Sequence, residues 1–255
     1  MRPTFINPLI LSLLGAFTAT MNAQTNLLTV QSTEKQTALL ELYTSEGCSS
    51  CPPAEAWLSH LKESPGLWED FVPVAFHVDY WDYLGWRDSW GAKQFSDRQR
   101  VYAERWRSDS VYTPEFVLNG SEWRDWTGHK GVPAGSAAVV GVLTATSSDT
   151  NHWQVSFAPA SLSKMQYEVH AALLGSGLKS SVKAGENRGR QLSHDFVALK
   201  LVNAPLVRHE NLVTGEFVLD ARQSSSLARL AVVVWVNKAG SLEPLQAAGG
   251  WLASP

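Results

Sequence analysis

Thr37-Ala-Leu-Leu-Glu-Leu-Tyr-Thr-Ser-Glu-Gly-Cys-Ser-Ser-Cys-Pro-Pro-Ala-Glu55 is the stretch on which the fold turns. Its first part, Thr37 to Tyr43, is a near-continuous apolar run, the pattern of a strand buried on both faces. Gly47 breaks that run just before Cys48. Pro52 and Pro53 are tolerated only in the first turn of a helix, so a helix is expected from Ala54 to about Lys62, opened by the cysteines. Strand, loop, Cys-x-x-Cys, helix is the unit from which the rest of the chain is read.

Working outward, Pro65-Gly66 ends that helix, and Phe71–Asp79 is a second apolar strand. Ser89 to about Arg107 is expected as a long amphipathic helix, with Trp90, Phe95, Val101, Tyr102 and Trp106 near helical spacing. Phe116–Leu118 is a strand, and Asn119-Gly120 is a two-residue hairpin signal leading into Ser121–Trp123. A closing helix is expected from Gly135 to about Thr146, and Ser147–Thr150 is a polar linker. Beyond it, Trp153–Phe157, Met165–Leu174, Val197–Val202, Glu216–Leu219 and Leu230–Val236 are strand-like runs between Gly, Pro, Ser and Asn, which suggests an antiparallel sheet or small sandwich.

Composition bounds the function classes. The 255 residues are 44% apolar and 18% charged, which excludes a disordered or collagenous chain. A net charge of −3 gives no electrostatic case for nucleic acid or an anionic membrane. At the N-terminus, Arg2, the apolar run Leu9–Phe17 and small residues up to Ala23 have the layout of a secretory signal peptide over residues 1–23. That run is shorter than the roughly 20 residues a membrane span needs. The expectation is an exported protein, periplasmic or secreted, without stable membrane insertion after cleavage. Residues 24–36 form a polar leader.

Cys48 and Cys51 are the only two cysteines. A small secreted disulfide scaffold carries more, and a structural zinc site needs a second half that scattered His residues do not supply, so no metal is expected. Closing so short a loop adds little chain-entropy stabilisation. The pair is more useful as chemistry than as a staple.

The element order, with Thr113-Pro114 leading directly into a strand and an Asn-Gly hairpin, resembles a thioredoxin domain. Glu41–Glu55, Phe76-His-Val-Asp-Tyr-Trp-Asp82, Val111-Tyr-Thr-Pro114 and Gly185-Glu-Asn-Arg-Gly-Arg190 together look like the exported bacterial domain of unknown function 1223 (DUF1223) family. The resemblance implies an α/β thioredoxin-like domain over 37–147, a central mixed sheet flanked by helices, followed by a mainly antiparallel β domain over 150–252. It also implies a cis peptide bond before Pro114, and it carries no established activity.

A thiolate at a helix N-terminus is stabilised by unsatisfied backbone N–H groups. On that basis Cys48 is the exposed nucleophile and Cys51 the resolving thiol, with no cofactor. Thr113 and Pro114 would receive an extended substrate chain by strand addition. Thioredoxins place a buried Asp six residues before the first cysteine, where this chain has Leu42. Glu41 beside it faces the other way by strand alternation, so Asp79 and Asp82 are further candidates for the proton of Cys51. Trp81 and Trp86 lie in an aromatic loop that is either a platform for an unfolded polypeptide or a packing seam. Arg188 and Arg190 sit on either an exposed hairpin tip or an arm folded back towards the dithiol, where His194 can join them. His77, inside an apolar strand, is read as a core residue more readily than as a ligand.

The expected activity is thiol–disulfide exchange, with an external redox partner and a disulfide-bearing polypeptide or small thiol as substrate. Two alternatives stand beside it. One is a Cu(I) metallochaperone using the cysteines with His77, His129 or His152. The other is a non-catalytic binding module.

Overall fold

Alternating burial along most strands, and burial on both faces of a central few, shape the chain. The computed structural model describes residues 27–133, 136–161, 164, 166–220 and 229–252. The expected signal peptide, the start of the expected closing helix at Gly135, and Met165 lie outside the described residues. In chain order the elements are β1 (Leu28–Gln31), β2 (Ala38–Thr44), α1 (Cys51–His60), β3 (Phe71–His77), α2 (Lys93–Trp106), β4 (Glu115–Leu118), β5 (Ser121–Glu122), β6 (Gly141–Ser147), β7 (His152–Pro159), β8 (Tyr167–Ser176), β9 (Leu178–Ser181), β10 (Gln191–His194), β11 (Val197–His209), β12 (Leu212–Val218), β13 (Arg229–Lys238) and β14 (Pro244–Trp251).

The helix-flanked α/β thioredoxin-like architecture expected from the sequence is not what forms. Among the described residues there are two α-helices against fourteen strands, and twelve of the strands join one branched, mixed sheet. β2 runs parallel to β3 and antiparallel to β4, which continues to β5. β3 meets β11 through the parallel pair Ala75 and Val197. The long β11 then runs antiparallel to β8 and, at its far end, to β12, which carries on through β7 and β6 to β1. β8 also pairs with β13, and β13 with β14.

The reason for the difference lies in β8 and β13. Ala172, Leu174, Ala231, Val233 and Trp235 pack into the core that holds Leu40, Tyr43 and Phe76. Their neighbours Ala171, Leu173, Val232, Val234 and Val236 pack into a second core with Leu143, Trp153 and Phe157. A strand layer buried on both faces therefore does much of the covering that helices do in the expected fold. Glu41 is buried within the first core. Arg98 of α2 donates to it at 2.7 and 3.0 Å, Tyr43 and Tyr102 donate at 2.8 and 2.6 Å, and the Arg98 guanidinium lies 5.2 Å from the Trp235 ring centroid.

Three local expectations also change. Residues 141–147 form β6, not a helix: Leu143 and Ala145 point inward while Val142, Thr144 and Thr146 are half-exposed, a period of two. Part of the polar leader is β1, whose Val30 is buried against β6. Residues 148–151 make the turn of the β6–β7 pair. The Asn119-Gly120 hairpin forms as expected, with φ of 49° and 82° at the two positions.

Candidate functional site

α1 begins at Cys51 and is preceded by Ser50, with Pro52 and Pro53 in its first turn, where their missing N–H groups cost nothing. Cys48 and Cys51 are joined as a disulfide, with Cα atoms 5.5 Å apart. The peptide bond between Thr113 and Pro114 is cis. The Thr113 carbonyl oxygen lies 3.6 Å from Cys48 Sγ, and Ser50 Oγ lies 3.3 Å from the same sulfur.

The expectation that Cys48 is open to solvent is corrected. It is 1% exposed, and Ser49 and Ser50 are the exposed residues of the motif. The arm between β9 and β10 packs against the backbone of the motif. Its Asn187, fully buried, donates to the carbonyl oxygens of Glu46 and Cys48 at 2.9 and 2.8 Å. A Cβ on Gly185 in the arm would lie 3.8 Å from Gly47 Cα, in ordinary contact. The arm thus folds back on the dithiol, but not through its arginines. Arg188 and Arg190 are exposed, and Arg190 donates to Asn187 Oδ1 at 2.8 Å. Instead Glu186 accepts from the Ser49 backbone N–H and hydroxyl at 2.9 and 2.6 Å, and these bonds hold its carboxyl below the usual range.

Trp81 and Trp86 are half-buried parts of the site's frame. Trp81 Nε1 donates to Thr113 Oγ1 at 2.8 Å, and Trp86 Nε1 to Glu46 at 2.7 Å. Asp79 accepts from Ser96, and Asp82 accepts from the Asp88 backbone at 3.2 Å. Burial and the nearby Asp88 carboxylate raise the Asp82 carboxyl. None of the hydrogen bonds of Glu41, Asp79 or Asp82 described here reaches a cysteine. Burial also raises the carboxyl of Glu115, directly after the cis bond, to about 7, although Gln99 donates to it at 2.6 Å.

Five ionisable residues behind the disulfide form a buried cluster: Glu46, Glu55, His77, Asp88 and His194. Glu55 follows Cys51 by four residues, so helical spacing sets both on the inward face of α1. Its carboxylate accepts from Thr44 at 2.6 Å and meets His194 Nδ1 in a short contact. His194 Nε2 lies 3.4 Å from Glu46 Oε1, without hydrogen-bond alignment, and 3.3 Å from Ser180 Oγ. His77 Nδ1 lies 2.8 Å from Asp88 Oδ2, which also accepts from the Glu46 backbone N–H at 2.9 Å. Burial alone would lower His194, but Glu46 and Glu55 outweigh it and push its pKa to about 9. Burial would likewise raise Glu55 and Asp88, yet the facing histidines hold both below the carboxylate range.

The sequence offers His194 beside Arg188 and Arg190, and His77 beside the cysteines, but does not join the two histidines to each other or single out Glu46, Glu55, Asp88, Glu186 and Asn187 as site residues. One available signal was the helical spacing from Cys51 to Glu55. His129 and His152, raised for Cu(I), have partners elsewhere: His129 is 3.5 Å from Asp125, and His152 is 2.7 Å from Asp149. Hollows of about 700 and 640 Å³ lie on the β7 and β12 surface. A groove of about 490 Å³ between α1 and β10 meets the cluster at Glu55 and is also lined by Pro52, Ser59, Arg190 and Ser193.

A family model described as "Protein of unknown function (DUF1223)" matches residues 39–237, a span that takes in the dithiol, the cis bond, the arm and the cluster. The chain belongs to this family. Two solved structures share the fold of this DUF1223 chain. Protein AGR_C_4864 from Agrobacterium tumefaciens is 22% identical, with a TM-score of 0.62 over 88% of this chain and 96% of that one. HBP35 of Porphyromonas gingivalis is 12% identical, with a TM-score of 0.52 over 87% and 76%. No curated protein matches the chain.

Proposed function

We propose that this DUF1223 chain is an exported thiol–disulfide oxidoreductase. The observation that carries the reading is the Cys48–Cys51 pair at the start of α1, with the Thr113 carbonyl before the cis bond set 3.6 Å from Cys48 Sγ. The basic start and apolar run of residues 1–23 support export.

In the reduced state the Cys48 thiolate attacks one sulfur of a substrate disulfide, and the other sulfur leaves as a thiolate. The Cys51 thiolate then attacks Cys48 Sγ and releases the second substrate sulfur. Two electrons pass from the dithiol to the substrate, and the two dithiol protons end on the substrate thiols. An external dithiol or small thiol restores the reduced pair, because the chain has no third cysteine to relay electrons. Stabilisation of the Cys48 thiolate comes from the α1 N-terminus and from Ser50, whose hydroxyl is within reach. The arm must shift before a polypeptide reaches the sulfur.

The test is trapping. Cys51→Ser incubated with a disulfide-bearing peptide should accumulate a mixed disulfide on Cys48, visible by mass spectrometry, and Cys48→Ser should not. No adduct on either variant would sink the proposal. So would a wild-type disulfide with a potential below about −300 mV, the range of inert structural bridges.

A further inference from the structure

We propose that Glu55, His77 and His194 form a binding site for a divalent transition-metal ion of zinc's class, separate from the dithiol. One ligand atom from each of the three lies within 4.8 Å of the others, and all three residues are buried. Ligand atoms of a tetrahedral site at about 2.1 Å from the ion are about 3.4 Å apart, so modest side-chain shifts close the set.

Independent support comes from His77 Nε2, which is buried and has no hydrogen-bond partner. With Nδ1 held by Asp88, either protonation state leaves this nitrogen unsatisfied: a proton there has no acceptor, and a lone pair has no donor. A metal ion resolves the second case. One outer contact has the form that metal-binding histidines require: the Asp88 carboxylate holds His77 Nδ1 at 2.8 Å. The other ring has Ser180 Oγ 3.3 Å from His194 Nε2, with Nδ1 facing Glu55. His194 Nδ1 and Glu55 already meet, and the ion would take the place of the proton between them.

Two imidazoles and a carboxylate are borderline ligands that suit zinc, with Cu(II) the stronger competitor. The groove beside α1 is lined in part by Glu55, which gives an approach to the cluster from that side.

The experiment uses the chelator-stripped full chain with its disulfide intact, so that no thiolate contributes. Titration with zinc chloride should show one equivalent binding with sub-micromolar Kd and a rise in Tm. Cobalt(II) should give a tetrahedral d–d spectrum with no sulfur charge-transfer band. His77→Asn and Glu55→Gln should each weaken zinc binding at least a hundredfold. Where a variant fails to fold, by circular dichroism, the cobalt spectrum of the wild type decides alone. Absence of one-equivalent binding, a sulfur band, or binding unchanged in folded His77→Asn would overturn the site, and none of these outcomes bears on mixed-disulfide trapping.

Discussion

Asn187 and Glu186 act on the same cysteine by different physics, which makes them separable. Asn187 closes the arm through two buried hydrogen bonds to the Glu46 and Cys48 carbonyls. Asn187→Ala leaves both acceptors unsatisfied and should cost about 1–3 kcal/mol of stability. In the reduced protein it should raise the rate of Cys48 alkylation by iodoacetamide at least tenfold, with little dependence on salt. Glu186 instead sets an exposed carboxylate on Ser49, competing with the thiolate for the positive end of α1. Glu186→Gln should raise the same rate only about two- to fivefold, the usual size of a helix-terminus charge effect. That gain should shrink at high salt and come without loss of Tm. If the two variants behaved alike, the assignment of cover to one residue and charge to the other would fail. Arg188 and Arg190 drew notice in the sequence because fixed charges are conspicuous there. Asn187 matters through backbone carbonyls that no sequence pattern marks.

At the scale of elements, the legible ones were those whose burial pattern is decided locally. β2, β3, α1, α2 and the Asn119-Gly120 hairpin follow from apolar runs, prolines in a first turn and a turn dipeptide. β6 was misread because Ala, Val and Leu between 137 and 146 satisfy helical composition, while the alternation that makes a strand is confined to residues 141–147. Its register depends on Gly141, whose φ is 114° and where a Cβ would lie 2.1 Å from the Ala158 carbonyl oxygen. Gly141→Ala therefore meets both a backbone conformation closed to L-residues and a backbone clash that no rotamer relieves. It should lower stability by at least about 2 kcal/mol in denaturant titration, whereas Gly131→Ala, where a Cβ would meet nothing within 4 Å, should change it by less than about 0.5 kcal/mol. A Gly141→Ala protein as stable as wild type would mean that β6 does not pair with β7 in this register. The β9–β10 pair and β14 were missed for the opposite reason. Short or Gly-rich, they acquire strand character from the neighbours they pair with.

Across the whole molecule, the layer formed by β8, β13 and β14 makes the two cores depend on each other, and His170 reports on that dependence. Its ring stacks on Trp235 with centroids 5.3 Å apart, next to the Arg98 that anchors α2 to Glu41. Burial, and then the Arg98 charge, depress the His170 pKa to about 3, even with Glu168 3.2 Å from Nε2. The folded value lies below the unfolded value of about 6.5, so the unfolded chain binds more protons between those limits. The contribution to stability is then complete above about pH 6.5 and is lost as pH falls towards 3. Glu115 works in the opposite sense: with its carboxyl raised to about 7, its contribution is present below about pH 4.5 and fades as pH rises through 7. The two contributions oppose each other between about pH 4.5 and 6.5, so His170 governs the loss below about pH 4.5 and Glu115 the loss from about pH 6.5 to 7. His170→Phe keeps the stack on Trp235 and removes the titrating group, so its Tm should gain progressively on wild type as pH falls from 6.5 to 4. Glu115→Gln should remove the loss of Tm between pH 4.5 and 7 and leave the fall below pH 4.5 unchanged. Wild-type and His170→Phe curves that run parallel through the acid range would show that the layer tolerates a charged His170.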